Sequence, residues 1–275
     1  MASITIELDT PFITPDCSTK ILRTIFELLL YNRRQIPFPY ATFRMMVKKQ
    51  DTADGANTSS VADVHAQKQR EKAQHVVKCA EHILETLERI LADHSAGELM
   101  VLFGKTIYTA KEAFVIKMPT VDANHFGANH RRKLESILRN TGLQLTQCDE
   151  FVTEQIVLGD TNVFVMVQLP ISSEPVGKLY GMNMLDEYQL PRKCASYAID
   201  FKLATASEEE LSNSCCKQVT IYSEHTELSS DASAIDDTQK KEAEAESAWN
   251  NRWFLLDTVV NGFSLKSAKN NQLWK

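Results

Sequence analysis

The chain has 275 residues, 43% of them hydrophobic, which is enough apolar material for a sizeable core. Its net charge of -6 argues against a general binder of nucleic acids or anionic membranes, since both need a dense basic surface. No run of roughly eighteen apolar residues occurs, and the N-terminus lacks a basic region followed by an apolar core, so neither a membrane span nor a secretory signal is predicted. We expect a protein of the nucleus and cytoplasm.

The N-terminal part of the chain predicts a short strand and a buried helix. Residues 4–8 alternate apolar and polar side chains, the pattern of a half-buried strand. Thr14 is placed to cap a helix that has Pro15 in its first turn and apolar residues over most of its circumference. The helix must end near Gln35, because the two prolines that follow remove amide donors and disfavour helical backbone. We therefore expect an extended arm over residues 36–40.

A linker and a long helix are predicted next. Residues 41–47 fit a short helical turn. Residues 48–60 contain no apolar side chain larger than alanine, which is typical of a flexible linker loop. Residues 61–93 are rich in strong helix formers, with apolar residues three and four apart and charges on the opposite face. They predict the longest helix of the chain, with its charged face in solvent.

The cysteine and histidine pattern offers one metal-site hypothesis. None of the six cysteines forms a C-x-x-C pair, so we interpret them as free thiols. His75, Cys79 and His82 would share one face of the long helix and could supply three ligands. Cys79 also continues the apolar face, however, and no fourth ligand is evident. We predict no metal site and no cofactor.

Strands are predicted on both sides of a third helix. Residues 99–103 form a continuous apolar run, typical of a strand buried on both faces, and residues 113–118 predict a second strand. Residues 151–158 and 163–169 flank a four-residue loop and predict a β-hairpin.

The third helix is expected to start near Asp122 or Asn124 and to end near Asn140, with Gly142 in the left-handed C-terminal position. Its apolar stripe is thin, and several cations make the neighbouring surface basic. Leu134 among these cations fits either an ordinary surface helix or an apolar anchor inside a polar partner-binding rim.

The last third of the chain contains a polar insertion and ends in a segment that is predicted to be part of the core. Residues 170–187 are predicted to form a loop and residues 196–203 a strand. Residues 204–247 form an acidic insertion that is predicted to be disordered, apart from a further strand over 216–223. The aromatic and branched residues of 249–265 are expected to dock a C-terminal segment onto the sheet.

These elements predict a single domain over residues 1–275 with an α+β fold, in which three main helices pack on one side of a mainly antiparallel sheet. No glycine-rich phosphate loop, G-x-S-x-G elbow or H-E-x-x-H helix occurs, so we predict no catalytic residues and no enzymatic activity.

One segment resembles a family signature. Residues 31–40 read YNRRQIPFPY and resemble the Tyr-x-Arg-x-Gln-apolar-Pro-apolar-Pro-Tyr signature of the comet family. Further matches follow in the same order at Val101 to Gly104, Lys111-Glu112, Arg131-Arg132, Tyr188-x-Leu190-Pro191, Ala248-Trp249, Trp253-Phe254 and Gly262-Phe263. The chain is therefore identified as a member of the comet family.

The resemblance implies a HORMA-like fold with a C-terminal safety-belt-like segment, and the function of an adaptor. Comet proteins bind the closed conformer of the checkpoint HORMA protein Mad2 and deliver it to a AAA+ ATPase of the pachytene-checkpoint type. The mitotic checkpoint complex is thereby dismantled and the spindle checkpoint silenced. The resemblance also implies a location at the kinetochore or spindle in mitosis. The alternative is a HORMA module that clasps a peptide ligand of its own under residues 249–265.

The resemblance also implies a set of partner-binding residues at the end of the first helix and on the third helix. By position these are Asn32, Arg33, Arg131, Arg132, Leu134, Ile137 and Leu138. Asn32 replaces a family glutamine and Leu134 a family phenylalanine, and the three arginines are expected to line the rim. We expect Leu134 to be exposed, so that Leu134→Asp would abolish binding and leave the fold intact. The family's ATPase-facing segment falls on residues 182–186, where no match occurs.

Overall fold

A computed structural model describes residues 2–51, 61–93, 96–119, 121, 128–153, 158–170, 180–205 and 251–263. The helices in these ranges are α1 (Pro15–Asn32), α2 (Tyr40–Asp51), α3 (Val61–Asp93), α4 (Ala128–Gln147) and α5 (Asp149–Val152). The strands are β1 (Ala2–Leu8), β2 (Glu98–Gly104), β3 (Ala110–Lys117), β4 (Asn162–Pro170), β5 (Met182–Leu185), β6 (Ala195–Leu203), β7 (Asn251–Leu256) and β8 (Val260–Asn261). The chain therefore has an α+β fold.

The described strands form one mixed sheet in the order β1-β6-β3-β2-β4-β7-β5, and β8 also pairs with β4. β1 and β3 each pair with β6 in parallel, and the other pairs are antiparallel. The prediction of a mainly antiparallel sheet is confirmed, although the strands β1, β6 and β3 at one edge are parallel. β2 lies in the middle and is buried from Leu99 to Gly104, as its continuous apolar run predicts.

The helices cover one face of the sheet and enclose the larger core. Ile6 of β1, Val101 of β2 and Phe114 of β3 meet the apolar faces of α1, α3 and α4 in this core. A smaller core lies on the opposite face of the sheet, where Tyr188 and Leu190 pack against it. The segment between β5 and β6 thus covers the middle of the second face.

α1 begins as predicted, and its end differs. Thr14 accepts a hydrogen bond at its side-chain oxygen from the Cys17 amide at 3.2 Å, which confirms the cap. The helix ends at Asn32, and the residues up to α2 form turns and bends instead of an extended arm. The reason is that the amides of Gln35 and Ile36 donate back to the Leu30 carbonyl at 2.9 and 3.3 Å.

α2 corrects the predicted start of the linker. The helix continues through Asp51, so residues 48–51 are helical. Lysine and glutamine are good helix formers, and Lys48 and Lys49 in the last turn interact favourably with the helix dipole. The segment has no apolar residues, so its sequence pattern does not indicate a helix. Residues 52–60 of the predicted linker lie outside the described residues.

α4 is longer than predicted, because Gly142 lies inside the helix and does not end it. An interior glycine costs about 1 kcal/mol relative to alanine. Leu145 is fully buried in the additional turn, and its burial offsets that cost.

The predicted hairpin is wrong in its first strand. Asp149–Val152 is the short helix α5, and β4 pairs with β2, β7 and β8. Phe151 belongs to α5 and is fully buried, so an apolar residue at this position does not by itself indicate a strand. Residues 154–157 lie outside the described part of the chain.

The predicted loop over 170–187 is also wrong in part, because Met182–Leu185 forms β5 and pairs with β7. A four-residue edge strand carries too short an alternation to be recognised from sequence. The other described strands lie close to their predicted positions, and α3 has the predicted bounds. Phe254, Val260 and Phe263 are buried as predicted for the C-terminal segment.

Several predictions fall outside the described residues. They concern the start of the third helix at Asp122 or Asn124, the strand over 216–223, most of the insertion over 204–247, and the residues Trp249 and Leu265. In the part of the chain that is described, no helix is long and apolar enough to cross a membrane.

Candidate partner-binding site

The signature segment forms the joint between α1 and α2. Its members divide into a buried and an accessible set. Arg33, Gln35 and Ile36 are buried in the protein, whereas Tyr31 and Arg34 are exposed. The signature therefore contains residues that hold the protein together as well as residues that a partner can reach.

Arg33 lies in the interior, so its predicted position on a rim is wrong. Its side chain is 0% exposed, and its Nε donates to Oε2 of Glu112 at 2.7 Å. Its Nη1 donates to the Phe151 carbonyl at 2.6 Å and its Nη2 to the Glu150 carbonyl at 3.3 Å. The guanidinium carbon also lies 4.9 Å from the ring centroid of Phe114. Arg33 thus binds α5 and β3 to the end of α1.

Gln35 connects the joint to the loop before β4 and to the C-terminal segment. Its Nε2 donates to the carbonyls of Arg33 and Gly159 at 2.7 and 3.0 Å, and its Oε1 accepts from the Thr161 amide at 3.1 Å. Its carbonyl accepts from the Phe263 amide at 2.6 Å. The three side-chain hydrogen bonds of Gln35 are buried or partly buried, and Gln35 itself is 0% exposed, so its hydrogen-bonding groups find their partners inside the protein.

Replacing Gly262 by alanine should loosen this connection. A Cβ at position 262 would overlap Oε1 of Gln35 and lie 3.0 Å from the Thr161 carbonyl oxygen. Because Gln35 is bonded on every side, it cannot move away cheaply, and we expect a loss of about 1–3 kcal/mol of folding free energy. Urea denaturation and hydrogen exchange at the Phe263 amide measure the loss.

Gly142→Ala is the matched control for that substitution. A Cβ there meets nothing within 4 Å, and the position is helical, so we expect a gain of about 0.5–1 kcal/mol. A Gly262→Ala protein as stable as the wild type would contradict this role of Gln35 in connecting the joint to the C-terminal segment.

The last signature residue, Tyr40, fixes the start of α2 on α3. Its hydroxyl donates to Oε1 of Glu81 at 3.0 Å, and this carboxylate also pairs with Arg44 at 3.0 Å and Arg23 at 3.6 Å. Burial, together with the Glu81 charge, raises the pKa of Tyr40 well above its usual value, so the hydroxyl remains a donor.

α4 presents a different face from the one predicted. Leu134 and Ile137 are each only 6% exposed and belong to the main core, so the expectation that Leu134 is exposed is wrong. Leu138 is half-buried at the edge of that core. Arg131 and Arg132 belong to α4, but their side chains lie outside the described part of the structure.

The outer face of α4 carries an exposed leucine that sequence reasoning missed. Ser136, Arg139 and Leu143 follow one another at helical spacing and are exposed, and Leu143 is 53% exposed. The prediction ended the helix at Asn140 and so never placed Leu143 on this face. Helical periodicity continued past Gly142 would have found it.

α4 is held beside α1 and the edge strand β1. Gln144 accepts from the Glu7 amide at 2.8 Å and donates to the Glu7 carbonyl at 2.7 Å, which occupies main-chain groups at the open edge of β1. α4 also packs against α1. The outer face of α4 and the end of α1 therefore have fixed positions relative to each other.

Tyr31 and Asn32 complete the accessible end of α1. Tyr31 is 41% exposed, which is unusual for a large aromatic side chain in a signature that is otherwise mostly buried. Asn32 is half-buried, and its Nδ2 is itself buried and has no hydrogen-bond acceptor among the described residues. A partner can supply this acceptor after a side-chain rotation.

The metal-site hypothesis receives no support from the geometry. A ring nitrogen of His75 lies 3.6 Å from the Cys79 sulfur, a separation that two ligands of one small ion can have, but burial raises the pKa of the Cys79 thiol and so disfavours the thiolate that would bind a metal. Among the described residues, no three potential ligands cluster around a common point.

This architecture, with helices on one face of a mixed sheet and the signature joint between α1 and α2, is consistent with the HORMA-like class of proteins. The family model described as p31comet, Mad1 and Cdc20-bound Mad2 binding, matches residues 4–175. The chain therefore belongs to the p31comet family, which confirms the resemblance read from the sequence. Membership implies binding of Mad2 that is bound to Mad1 or Cdc20, and the family is one of binding adaptors. No curated protein matches the chain.

Proposed function

We propose that this protein is a non-enzymatic adaptor that recognises the closed conformer of Mad2. The observation that carries the proposal is the signature joint, where Arg33 and Gln35 are satisfied internally, Tyr31 is exposed and the half-buried Asn32 has an amide nitrogen without an acceptor among the described residues. The family match covers this joint and all of α4. Because the joint fixes the position of this surface before a partner binds, little conformational entropy is lost on binding.

The proposed contact surface consists of Tyr31, Asn32, Arg139 and Leu143 and is called the α1–α4 face below. Leu143 supplies an exposed apolar contact, and Tyr31 supplies an aromatic anchor of a residue type that is enriched among those contributing most to binding energy. Arg139 supplies a rim charge that affects the association rate more than the affinity. The buried Arg33, Leu134 and Ile137 act by holding this face in place.

Size-exclusion co-migration with Mad2 tests the proposal. Wild-type protein is mixed with Mad2 locked in the closed form and, separately, in the open form. We expect a complex with the closed form only. Complexes with both forms, or with neither, would contradict recognition of the closed conformer.

Replacing Leu143 by aspartate should weaken the closed-Mad2 complex and leave the fold intact. The side chain is exposed, so a charge there costs little stability, but it would enter the buried centre of the interface. We expect at least about tenfold weaker binding, or about 1.4 kcal/mol, by calorimetry. Tyr31→Ala should act in the same direction.

Met45→Asp is the control for that substitution, since Met45 is as exposed as Leu143 but lies on α2, outside the α1–α4 face. It should bind closed Mad2 like the wild type. Equal affinity of the Leu143→Asp and wild-type proteins would place the interface elsewhere while leaving the adaptor function intact.

Delivery of Mad2 to a AAA+ ATPase of the pachytene-checkpoint type is the second step of the proposed function. The family's ATPase-facing segment falls on β5, where Asn183 and Met184 are exposed. ATPase-dependent release of Cdc20 from Mad2, measured with and without this protein, tests the step. In cells, the proposal places the protein in nucleus and cytoplasm, at kinetochores or the spindle in mitosis, where it promotes checkpoint silencing.

A peptide-clasping HORMA module is the second candidate, and one observation favours it. A surface pocket of about 650 Å³ separates α3 from the end of the C-terminal segment and is lined by Lys72, His75, Asn261 and Phe263, among others. In this candidate, β7 and β8 act as a safety-belt-like segment over the peptide. Mass spectrometry of the purified protein, with and without residues 251–275, would detect a retained peptide.

A further inference from the structure

The turn between β2 and β3 carries the most exposed large hydrophobic side chain among the described residues. Tyr108 is 68% exposed, although it lies on a short 3-10 turn that the protein holds firmly. Within this turn the Thr109 amide donates to the Thr106 carbonyl at 3.2 Å, and the two threonine hydroxyls are 2.8 Å apart. A rigid support beneath an exposed aromatic ring is the arrangement of a binding anchor.

Tyr188 reinforces this support from the segment that covers the second face of the sheet. Its ring centroid lies 6.2 Å from that of Tyr108, and its hydroxyl donates to the Ile107 carbonyl at 2.9 Å. Burial raises the pKa of Tyr188 to about 12, so the hydroxyl remains a donor across the physiological range. The two tyrosines therefore form one fixed aromatic platform.

Four cations lie at the end of the sheet that carries the platform. Lys105 and Lys111 flank the 3-10 turn at the end of the sheet, and both are exposed. The Cys194 amide donates to the Pro191 carbonyl at 2.9 Å, so Arg192 and Lys193 occupy the exposed middle of a tight turn. Because Ala195 pairs with Glu112, this turn ends beside Lys111. In the described part of the chain, none of the four has a carboxylate partner.

The electrostatics of this surface differ from those of the whole chain. The net charge of the protein is -6, whereas the four cations add positive charge to one aromatic platform. Glu112, which follows Lys111 in β3, is buried and paired with Arg33. Asp186 and Glu187 precede Tyr188 on the side of β5. The platform therefore offers an aromatic contact inside a cationic rim.

We propose that Tyr108 and these four cations form a second docking surface, the Tyr108 patch, for an acidic segment of a protein partner that carries an apolar or aromatic side chain. The acidic segment pairs with the rim, and the apolar side chain packs on Tyr108. A nucleic acid is disfavoured as the occupant, because four cations on an acidic protein give little counterion release and the rest of the surface repels a polyanion. The patch is independent of Mad2 binding through the α1–α4 face.

Fluorescence anisotropy with three labelled probes tests the proposal on the full chain. The probes are a Glu-rich peptide with one central Phe, the same peptide with Gly in place of Phe, and single-stranded oligothymidylate. We expect the Phe peptide to bind best and to weaken as salt rises from about 0.05 to about 0.3 M. No binding of the Phe peptide, or tighter binding of oligothymidylate, would overturn the proposal.

Two variants separate the charge and the aromatic contributions. Arg192→Glu combined with Lys193→Glu should weaken both peptides at least about tenfold. Tyr108→Ala should weaken the Phe peptide by about fivefold and the Gly peptide hardly at all. The Tyr108→Ala protein should still co-migrate with closed Mad2, which also reports that it is folded.

The control is Lys78→Glu combined with Arg89→Glu, the same charge change at exposed positions of α3. This control should bind the Phe peptide nearly as well as the wild type. An equal loss in the control and in the Arg192/Lys193 variant would reduce the effect to net charge and overturn the patch. An undiminished preference for the Phe peptide in Tyr108→Ala would overturn the role of the platform.

Discussion

Leu134→Asp should unfold the protein or leave it barely stable, because position 134 lies in the core. The Leu134 side chain is 6% exposed and packs on the inner side of α4. Truncating such a leucine to alanine costs about 2–5 kcal/mol, and a buried carboxylate without a partner adds to that cost. We therefore expect a loss of about 4 kcal/mol or more of folding free energy, a large part of the total stability of a typical domain.

Urea denaturation followed by circular dichroism measures this loss, and Leu143→Asp on the same helix is its control. Leu143 is 53% exposed, so the same substitution there should change the folding free energy by less than about 0.5 kcal/mol. A Leu134→Asp protein with the wild-type urea midpoint would show that the side chain can leave the core. Loss of Mad2 binding in Leu134→Asp alone would say nothing about the interface.

The contrast between positions 134 and 143 shows what the sequence pattern of a helix can and cannot predict. The apolar stripe predicts that a helix exists between about residue 122 or 124 and residue 140, because burial with a period of 3.6 is the strongest local signal. The stripe does not identify the solvent-exposed leucine of the helix when the end of the helix is predicted at the wrong residue. With the helix end at Gly142, Leu143 falls outside the predicted helix, and the expectation that Leu134 is exposed rests on the family resemblance and not on the apolar stripe.

The sheet was predictable where strands are long and buried. Apolar runs or alternation in the sequence predict the strands β2, β4 and β6. The parallel pairing of β1 with β6 joins segments far apart in the chain, so no local sequence pattern predicts it. β5 and α5 were missed because each has only four residues, too few to show a period. Their positions are decided by β7 and by Arg33, which are distant in the chain.

The candidate site was predictable as a segment and not as a set of contacts. The signature over residues 31–40 identified the correct joint and, with it, the family. A charged residue such as Arg33 is normally assigned to the surface, because its burial requires a partner that only the folded structure reveals. Glu112, 79 positions away in the chain, is that partner.

Arg33→Met should be among the most destabilising single substitutions in the signature. It leaves the Glu112 carboxylate, whose side chain is 3% exposed, without its cation, and it removes the donors to the Phe151 and Glu150 carbonyls. Breaking a buried ion pair on one side typically costs about 3–5 kcal/mol, because the remaining charge keeps its desolvation penalty. Urea denaturation of the purified variant measures the loss.

Three further variants separate the charge from the fork geometry of Arg33. Arg33→Lys keeps the charge but cannot reach Glu112, Phe151 and Glu150 together, so it should lie between the wild type and Arg33→Met. Arg33→Met combined with Glu112→Leu removes both charges and should regain part of the loss. Arg192→Met, at an exposed arginine distant from this ion pair in sequence, should change the folding free energy by less than about 0.5 kcal/mol.

The same variants distinguish a structural role of Arg33 from direct partner contact. If Arg33 only positions the end of α1, the Arg33→Met/Glu112→Leu protein, once refolded, should bind closed Mad2 with nearly wild-type affinity. Wild-type stability of Arg33→Met, or a stable double variant that no longer binds Mad2, would contradict this role. The second result would mean that the guanidinium leaves Glu112 to meet the partner, a rearrangement whose cost the complex would have to offset through the α1–α4 face.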